Sequence, residues 1–490
     1  MSAWLRKAFG RPPSLPAVVV LATLAGLGLR LATLPDFSIG GDELWTLKWI
    51  QLPPGEILTQ FRSGLTMHLY LLLLKAWSSL FGSSPAVLKV PSLVAGVASI
   101  PVLYWFGRRW TDEGAAQLAA TLAAISPVLI FSSRFARTYA MLTLVALLAM
   151  SFVLQASRNP TRKSLATLTV LNFLGLALSL NFAYMLIVQA GFLCLDYSHL
   201  GRRTTLRVAL SLGLATLLAL GFYSQMLDDI LAFGAEHRIP RYRPHIIVGS
   251  LAQIHPLFPG VFVMLSVLGA LHAWRRGLPA AKLLTLCAIL PPVLYLLQRS
   301  PLGDSSISRY LIPTLPAWLL LTAIGARRLI SIVPHRAAKR HSVAIAAGLL
   351  LVAHAVHPRF RYDVLVAPMA TSTLQAKVVE RFEPGDVVSF FPRVYEPLFV
   401  GNPRLNAVPL EHLIFEPSSA QPARLLIVTA RLAEARGTWS RHFEIEEVAP
   451  PGYKQAFDLL ISHRLESGSE AFVDPLRTYL QGWIDAAQIR

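Results

Sequence analysis

The chain has 490 residues, of which 54% are hydrophobic and only 15% are charged, and its mean hydropathy is +0.51. This apolar content exceeds what one soluble core can bury, so it excludes an ordinary soluble protein. Lys and Arg exceed Asp and Glu by 18, but the basic residues stand in short clusters between apolar runs and do not indicate a nucleic-acid partner. Cys194 and Cys287 are the two cysteines, which excludes a disulfide scaffold or a four-cysteine zinc site.

Eleven apolar runs are long enough to cross a bilayer and predict a polytopic α-helical membrane protein. They lie at residues 15–34, 87–106, 114–133, 139–157, 164–182, 183–198, 206–225, 257–274, 280–298, 310–330 and 342–357. The first follows a basic N-terminus, and its length of roughly 20 residues favours an uncleaved helix over a signal peptide. The run at 67–81 is shorter and is interrupted by His68 and Lys75, so we interpret it as an interfacial helix.

The basic residues predict the orientation of the chain. If the N-terminus is cytoplasmic, every cytoplasmic loop carries a basic cluster, as the positive-inside rule requires. These clusters contain Arg108 and Arg109; Arg158, Arg162 and Lys163; Arg202, Arg203 and Arg207; Arg275 and Arg276; and Arg327, Arg328, Arg336, Lys339 and Arg340. If 67–81 were counted as a span, all of these basic clusters would lie on the extracytoplasmic side. We therefore predict eleven spans and an extracytoplasmic C-terminus. The weakest boundary is that between 164–182 and 183–198.

We predict a transmembrane domain over residues 1–357 and a small extracytoplasmic α/β domain over residues 358–490. In the second part, 16 of the 27 acidic residues occur and no spanning run follows. Short β-rich segments at 386–391, 425–429, 443–448 and 457–462 alternate with helix-like stretches such as 372–381. The chain has no P-loop and no Gly-rich dinucleotide motif, which argues against ATP or NAD chemistry.

The first outer loop, residues 35–86, holds the strongest candidate for catalysis. Asp42 and Glu43 directly follow Gly40 and Gly41, and glycines let the backbone turn sharply and bring a carboxylate close to a substrate. The alternative is that one of the two carboxylates only caps a helix over residues 44–51. The spacing alone leaves both interpretations open.

Basic residues that break the positive-inside pattern also collect on the outer side. Arg134 and Arg137 precede Tyr139 in a very short loop, and Arg309 precedes Tyr310 at the start of a later span. Arginines at a membrane face are tolerated when they snorkel to the interface, but an arginine pair with a tyrosine also suits a buried lipid phosphate. Arg30, Arg238, Arg241 and Arg243 also lie on the predicted outer side.

Several short motifs follow the Asp-Glu pair in a fixed order. They are His68-Leu69-Tyr70, Phe81-Gly82, Leu88-Lys89-Val90-Pro91-Ser92, Gly107-Arg108-Arg109, Ser126-Pro127, Ala136-Arg137-Thr138-Tyr139 and Arg309-Tyr310-Leu311-Ile312-Pro313. In this order the chain resembles the polytopic GT-C glycosyltransferases up to about residue 330. The nearest branch is glycosyltransferase family 39 with its bacterial relatives, the protein O-mannosyltransferases and the lipid A aminoarabinose transferases.

The resemblance implies a GT-C fold and an enzyme that moves a hexose or pentose from a polyprenyl-phosphate donor, with inversion, at the outer leaflet. The acceptor would be a glycan, a lipid or a protein. The roles assigned with it are Asp42 as base, Glu43 as its orienting partner or a sugar ligand, Arg137, Arg309 and Arg134 as donor phosphate ligands, Tyr139 and Tyr310 as hydrogen-bond donors, and His68 and Tyr70 in the substrate cavity.

This chain departs from the family pattern in two places. Many members carry an acidic residue in the second outer loop, whereas this chain has Arg134 and Arg137 there. A divalent metal is therefore not supported by a second acidic motif, and we assign no metal ligand and no other cofactor. Members often have His-Pro-Pro where this chain reads His68-Leu69-Tyr70.

Two functions of other classes fit the same sequence. A transporter or lipid flippase also has many spans with charges at the membrane edge; against it, the candidate polar residues stand at span ends and no broken helix with central charges is indicated. A noncatalytic partner in polymer assembly would use Asp42 only structurally. The Leu-, Ala- and Arg-rich composition without organelle targeting signals indicates a bacterial inner membrane.

Overall fold

The computed structural model describes residues 15–32, 34, 41–59, 67–236, 259–297, 307–332, 377–384, 386–391, 425–429, 443–448 and 457–462. The chain forms two compact units. One contains Met1–Leu34 with Pro53–Val364, and the other contains Pro35–Leu52 with Leu365–Arg490. The segment that carries Asp42 and Glu43 thus belongs to the same unit as the C-terminal region.

The first unit is helical throughout its described residues. Its helices are α1 (Ala17–Leu31), α3 (Pro54–Thr59), α4 (His68–Phe81), α5 (Pro85–Trp110), α6 (Glu113–Ile125), α7 (Pro127–Ser133), α8 (Tyr139–Arg158), α9 (Arg162–Leu178), α10 (Ala183–Leu195), α11 (Tyr197–Phe222), α12 (Leu227–Glu236), α13 (Pro259–Arg275), α14 (Ala281–Leu297), α15 (Ile307–Tyr310) and α16 (Leu315–Ile332). Helix α2 (Gly41–Gln51) belongs to the second unit. Short 3-10 turns at Leu180–Phe182, Ser224–Met226 and Ile312–Thr314 join neighbouring helices.

Ten of the eleven predicted spans fall on helices, and the run at 342–357 lies outside the described residues. Three described helices, α5, α8 and α11, are long and apolar enough to cross a membrane, and α6 with α7 would make a fourth. Four shorter apolar helices, of 10–17 residues, accompany them. The chain is therefore an integral membrane protein, while the count of eleven spans stays a prediction. Helix α4 has 14 residues, so it is short for a span, as the sequence indicates.

The helical path breaks once between α6 and α7, which meet at an angle of 59°. Pro127 lies at the break: it has no backbone N–H and its ring disfavours the helical conformation at the preceding residue, and Ser126 is extended (φ −64°, ψ 119°). Pro127 then serves as the first residue of α7. The sequence indicates no broken helix with central charges, and this break does not contradict that expectation, because the only charged residue of α6 and α7 is Glu113 at the start of α6.

Polar pairs join the helices inside the first unit. Asn172 of α9 and Gln189 of α10 exchange two amide hydrogen bonds of 2.7 and 3.1 Å, and both side chains are fully buried. The hydroxyls of Thr169 and Ser211 lie 2.8 Å apart and join α9 to α11. Because these polar groups are hydrogen-bonded to one another, burying them does not leave unsatisfied donors or acceptors, and the pairs stabilise the contacts between the helices.

Glycines allow α13 and α16 to pack closely. A Cβ on Gly325 would collide with the carbonyl oxygen of Leu265, and a Cβ on Gly269 would collide with that of Leu321. The two backbones thus approach within a distance that only glycine permits, as in other small-residue helix contacts of membrane proteins. The Ser266 and Thr322 hydroxyls, 2.8 Å apart, add a buried hydrogen bond next to these glycines.

We expect Gly325→Leu to destabilise the protein by about 1–3 kcal/mol, because the added side chain must push α13 and α16 apart. Thermal unfolding of the purified protein in detergent measures the effect. Gly213→Leu in α11 is the matched control, since a Cβ at Gly213 meets no atom within 4 Å. Equal unfolding temperatures for the two variants would contradict the close packing of α13 and α16.

The second unit contains a four-stranded mixed sheet whose strands coincide with the four predicted β segments. They are β1 (Val387–Phe391), β2 (Leu425–Thr429), β3 (Phe443–Val448) and β4 (Phe457–Ser462), in the spatial order β1-β2-β4-β3. The pair β1–β2 is parallel, whereas β2–β4 and β3–β4 are antiparallel. Val388, Leu426 and Leu459 point to one face and are fully buried, which gives this unit an apolar core of its own.

Candidate functional site

The Asp-Glu pair lies in the first turn of α2. The helix begins at Gly41, so neither carboxylate precedes it in the position that a simple cap over residues 44–51 requires. Negative charge in a first turn is favoured by the free N–H groups of the helix end. Glu43 is almost fully buried, at 1% exposure, whereas the Asp42 side chain lies outside the described residues. A buried carboxylate is costly unless it has partners, and this makes Glu43 more than a solvated loop charge.

Arg134 and Arg137 lie in the tight connection between α7 and α8. The Arg134 amide donates to the carbonyl oxygens of Ile130 and Phe131 and so ends α7, and the Arg137 amide donates to the Phe135 carbonyl oxygen at 2.7 Å. Arg134 is 0% exposed and Arg137 is 9% exposed. A snorkelling arginine carries its guanidinium out of the protein surface, so this burial favours the interpretation of both arginines as interior cations.

Contacts of Tyr139 join the two sequence motifs that were predicted to bind one phosphate. The Arg137 guanidinium donates a hydrogen bond to the Tyr139 hydroxyl, and Tyr310 lies close enough to Tyr139 for an electrostatic interaction. Phe135 stacks on the Tyr139 ring with a centroid distance of 6.4 Å and an interplanar angle of 10°. The structure thus brings Arg137, Tyr139 and Tyr310 together, although 171 positions separate Tyr310 from Tyr139 in the sequence.

Arg309 directly precedes Tyr310 in the one-turn helix α15. Burial lowers the pKa of the Arg309 guanidinium, and the adjacent Tyr310 phenol acts in the opposite direction. The cause is desolvation, which penalises the charged form of any cation. An anion near Arg309 would offset that penalty.

His68 and Tyr70 lie at the start of α4 and are fully buried. The Tyr70 hydroxyl lies 3.1 Å from the Ser92 hydroxyl of α5, and Ser92 donates to the backbone carbonyl oxygen of Arg137 at 3.0 Å. The His68 ring meets the Tyr223 ring edge-on at a centroid distance of 5.6 Å. Tyr70 is therefore connected through Ser92 to the backbone of Arg137, which we call the arginine cluster together with Arg134. His68 packs against Tyr223 instead.

Two buried polar residues of this region were not assigned from the sequence. Lys89 is fully buried and lies one turn before Ser92, on the same face of α5. The Thr138 hydroxyl is buried and has no hydrogen-bond partner among the described residues. The signal for Lys89 was visible, because an ionisable side chain inside an apolar run marks a functional site by default. A threonine in a loop carries no comparable signal, and only its burial distinguishes Thr138.

Arg30 of α1 has another role than the remaining outer arginines. Its Nε donates to the Ser133 hydroxyl at 3.0 Å, and its terminal nitrogens donate to the carbonyl oxygens of Gly26 at 2.9 Å and Ala124 at 3.1 Å. The Ala123 carbonyl, which has lost its helical partner because Pro127 lacks an N–H, lies 3.5 Å away. Arg30 thus satisfies the carbonyls that the break between α6 and α7 exposes, and it fixes Ser133 directly before Arg134.

We expect Arg30→Met to lower the thermal stability by about 1–3 kcal/mol, because the buried carbonyl oxygens of the helix break lose their donors. Unfolding in detergent without substrate checks this. Arg207→Met on the exposed face of α11 is the control and should unfold like the wild type. An unchanged Arg30→Met protein would show that the helix break holds without this arginine.

The arrangement in the first unit can bind a multivalent oxyanion. Arg134 and Arg137 supply buried positive charge, the Tyr139 hydroxyl meets the Arg137 guanidinium, and Thr138 between these two residues in the sequence adds a buried hydroxyl group. Arginine forks match phosphate oxygens in pairs, and their hydrogen bonds strengthen in a site of low dielectric constant. Within the part of the chain that the structure describes, no three His, Cys, Asp or Glu side chains gather as a metal site. Arg238, Arg241 and Arg243 lie outside the described residues.

Residues 67–226 match the family model described as dolichyl-phosphate-mannose-protein mannosyltransferase. This segment covers about one third of the chain and contains the clusters around His68, Lys89 and Arg137. The chain has no match among the curated proteins.

Three solved structures share the fold. The apo form of ArnT from Cupriavidus metallidurans aligns with a TM-score of 0.59, and the form bound to undecaprenyl phosphate aligns with 0.56; each is 13% identical and covers 90% of this chain and 97% of its own. The Archaeoglobus fulgidus oligosaccharyltransferase in complex with Zn and sulfate aligns with 0.50 at 13% identity, over 90% of this chain and 73% of its own. The predicted resemblance to the GT-C glycosyltransferase superfamily is confirmed by the family model and by this fold.

Proposed function

We propose that this membrane protein is a glycosyltransferase that moves a sugar from a polyprenyl-phosphate donor to an acceptor hydroxyl at the outer face of a bacterial inner membrane. The observation that carries the proposal is the burial of Arg134 and Arg137 in the connection between α7 and α8, with the Arg137 guanidinium on the Tyr139 hydroxyl, in the region that matches the mannosyltransferase family model. Burying positive charges in the protein interior costs free energy, and a lipid phosphate bound beside them would lower that cost. The family description and the undecaprenyl phosphate bound to one structural relative support this class of donor.

The reaction follows from the chemistry of the donor. The acceptor hydroxyl oxygen attacks the sugar C1, the bond between C1 and the phosphate oxygen breaks, and the hydroxyl proton passes to a carboxylate. We assign Asp42 as this base and Glu43 as its orienting partner or a sugar ligand. A single displacement from the face opposite the phosphate inverts the configuration at C1. The transferred group would be a hexose or a pentose.

The leaving polyprenyl phosphate gains negative charge as the C1–O bond breaks. Fixed cations and hydrogen-bond donors stabilise such developing charge without reorganising, which lowers the barrier. Arg137, Arg134 and Arg309 take this role, with the Tyr139 and Tyr310 hydroxyls as donors. We add Lys89 to these residues because it is buried. It lies on the face of α5 that also holds Ser92, whose hydroxyl donates to the backbone carbonyl oxygen of Arg137. His68 and Tyr70 line the same cavity.

The break between α6 and α7 is the observation that favours a transporter or flippase instead, because transporters expose the ends of broken helices to their substrates. In this chain, however, Arg30 already fills the break with hydrogen bonds to Ala124 and Ser133. Carbonyl groups that Arg30 already occupies are not available to a substrate, which makes the glycosyltransferase the better supported function.

The purified full-length protein tests the choice when it is incubated with polyprenyl-phosphate sugars that carry a radiolabel in the sugar. Release of polyprenyl phosphate, with the label passing to an acceptor, is the expected result. A transporter would leave the donor intact and would instead move it between the leaflets of proteoliposomes. If neither release nor movement occurs but glycan is bound, the chain is a noncatalytic assembly partner and the proposal is wrong.

A further inference from the structure

A polar cavity lies in the first unit, at the end of α5 that is remote from the arginine cluster. It has a volume of about 670 Å³ and is lined by the ends of α6, α13 and α16, with His272, Arg276, Arg327 and Arg328 among its walls. We call it the basal cavity. From Ser92 to Trp110, α5 advances by about 27 Å at 1.5 Å per residue, and the backbone of Ala280 in the α13–α14 connection hydrogen-bonds Trp110. The basal cavity is therefore separate from the candidate active site.

The two acidic residues of the basal cavity already have partners. Asp112 caps α6 by accepting from the Ala115 amide at 2.9 Å and forms an ion pair with Arg327. Glu113 accepts a hydrogen bond of 3.2 Å from the Tyr104 hydroxyl. The carboxylates thus serve the start of α6 and leave the other cations of the cavity without acidic neighbours.

Arg327 is held in place by packing against Gly114 of α6 as well as by its ion pair with Asp112. Its guanidinium lies over Gly114, where a Cβ would collide with it. The arginine therefore depends on the missing side chain at this position. We interpret Arg327 as a fixed structural cation that closes one wall of the cavity.

Arg276 and Arg328 provide the positive charge of the cavity besides the paired Arg327. Both side chains are exposed at the cavity, and within the described residues neither forms an ion pair; Arg328 only reaches the Ser331 hydroxyl at 3.5 Å. Two such guanidinium groups at the mouth of a cavity present a fork-like donor array that suits phosphate oxygens. A volume of about 670 Å³ falls within the usual range for sites of small ligands.

We propose that the basal cavity binds the phosphate of an anionic phospholipid head group, held by Arg276 and Arg328. Basic pockets between helix ends at a membrane surface bind such head groups, and the positive-inside pattern predicts that this end of α5 faces the cytoplasm, where anionic lipids attract basic residues. A soluble phosphate ester offers the same chemistry. The experiment therefore includes both sources.

The test measures binding of phosphatidylglycerol to the purified full-length protein in nanodiscs of phosphatidylcholine, by native mass spectrometry or lipid-dependent thermal stabilisation. We expect the double variant Arg276→Gln/Arg328→Gln to bind phosphatidylglycerol about 25-fold more weakly, since each basic residue near a charged surface contributes about a factor of five. The matched control is Arg202→Gln/Arg203→Gln, which removes an exposed arginine pair from α11 outside the cavity. It should bind like the wild type.

Glycerol phosphate in solution separates the two sources. If it saturates the wild type in the absence of anionic lipid and loses affinity in the double variant, the cavity binds phosphate from a soluble ester and the lipid assignment is wrong. Equal loss of phosphatidylglycerol in the cavity variant and the α11 control would overturn the proposal altogether. Unfolding temperatures and donor binding at the other end of α5 should stay unchanged in both double variants, which guards against misfolding.

Discussion

Asp42→Asn should lower the rate of sugar transfer by about two to four orders of magnitude while donor binding persists, in line with the usual contribution of a general base. Asparagine keeps the size of aspartate and can stabilise a helix start, but it cannot accept a proton at neutral pH. Single-turnover transfer and equilibrium donor binding, measured on the same preparation, separate the two effects. The experiment isolates proton transfer from the structural role of a carboxylate in the first turn of α2.

Asp228→Asn is the matched control for this prediction. Asp228 lies in the first turn of α12 and is exposed, so its replacement changes a carboxylate of the same helical position that has no assigned role in catalysis. Stability and transfer should both remain close to wild type. If Asp42→Asn behaves like Asp228→Asn, Asp42 only stabilises its helix and the base must be sought elsewhere, with Glu43 the first residue to test.

Arg137→Lys should weaken binding of the polyprenyl-phosphate donor, and Arg137→Ala should weaken it further. Lysine keeps the charge but loses the planar fork that grips phosphate oxygens and the Tyr139 hydroxyl. Hydrogen bonds to charged groups contribute about 1.5–3 kcal/mol, so we expect the alanine variant to lose roughly 10- to 150-fold in affinity and the lysine variant less. Titration of the detergent-purified protein with donor gives both values.

Arg108 offers a closely matched control for Arg137. It also donates to a tyrosine hydroxyl, that of Tyr104 at 3.3 Å, but it lies near the C-terminal end of α5 instead of near the arginine cluster. Its lysine and alanine variants should bind donor like the wild type. Equal donor affinity across the Arg137 series would show that this arginine is an interfacial anchor, and the phosphate site would then be tested at Arg309.

The positions of helices and strands could largely be read from the sequence because they depend on local patterns. Apolar runs bounded by charge place α5 and α8 within a few residues of their observed ends, and alternating apolar residues place the four strands. The turn at Leu180–Phe182 separates α9 from α10, which was the weakest predicted boundary. Residues 35–52 were expected to form part of the membrane domain, whereas their compact unit is the one that holds the C-terminal region.

The break between α6 and α7 was harder to predict from the sequence, because a proline inside an apolar run can either lie within a continuous helix or divide it. Pro91 and Pro101 lie inside the continuous helix α5, whereas Pro127 divides α6 from α7. Both kinds of site use a donor from another helix: the Val87 carbonyl that Pro91 frees accepts from the Trp77 indole N–H at 2.9 Å, and the Ala124 carbonyl at the break accepts from Arg30. A partner 94 positions away leaves no trace in the local sequence.

The sequence by itself indicated a polytopic membrane protein that resembles the GT-C glycosyltransferases, and it showed which polar residues stand at the ends of the predicted spans, since hydropathy, charge and motif order are properties of the chain alone. Only the tertiary structure decided how those residues group. It joins Arg137 to Tyr139 and Tyr310, adds the buried Lys89 and Thr138, and assigns Arg30 to the helix break. The physical reason is that burial and hydrogen bonding depend on contacts between distant helices, and the free energy of a buried cation is set by those neighbours.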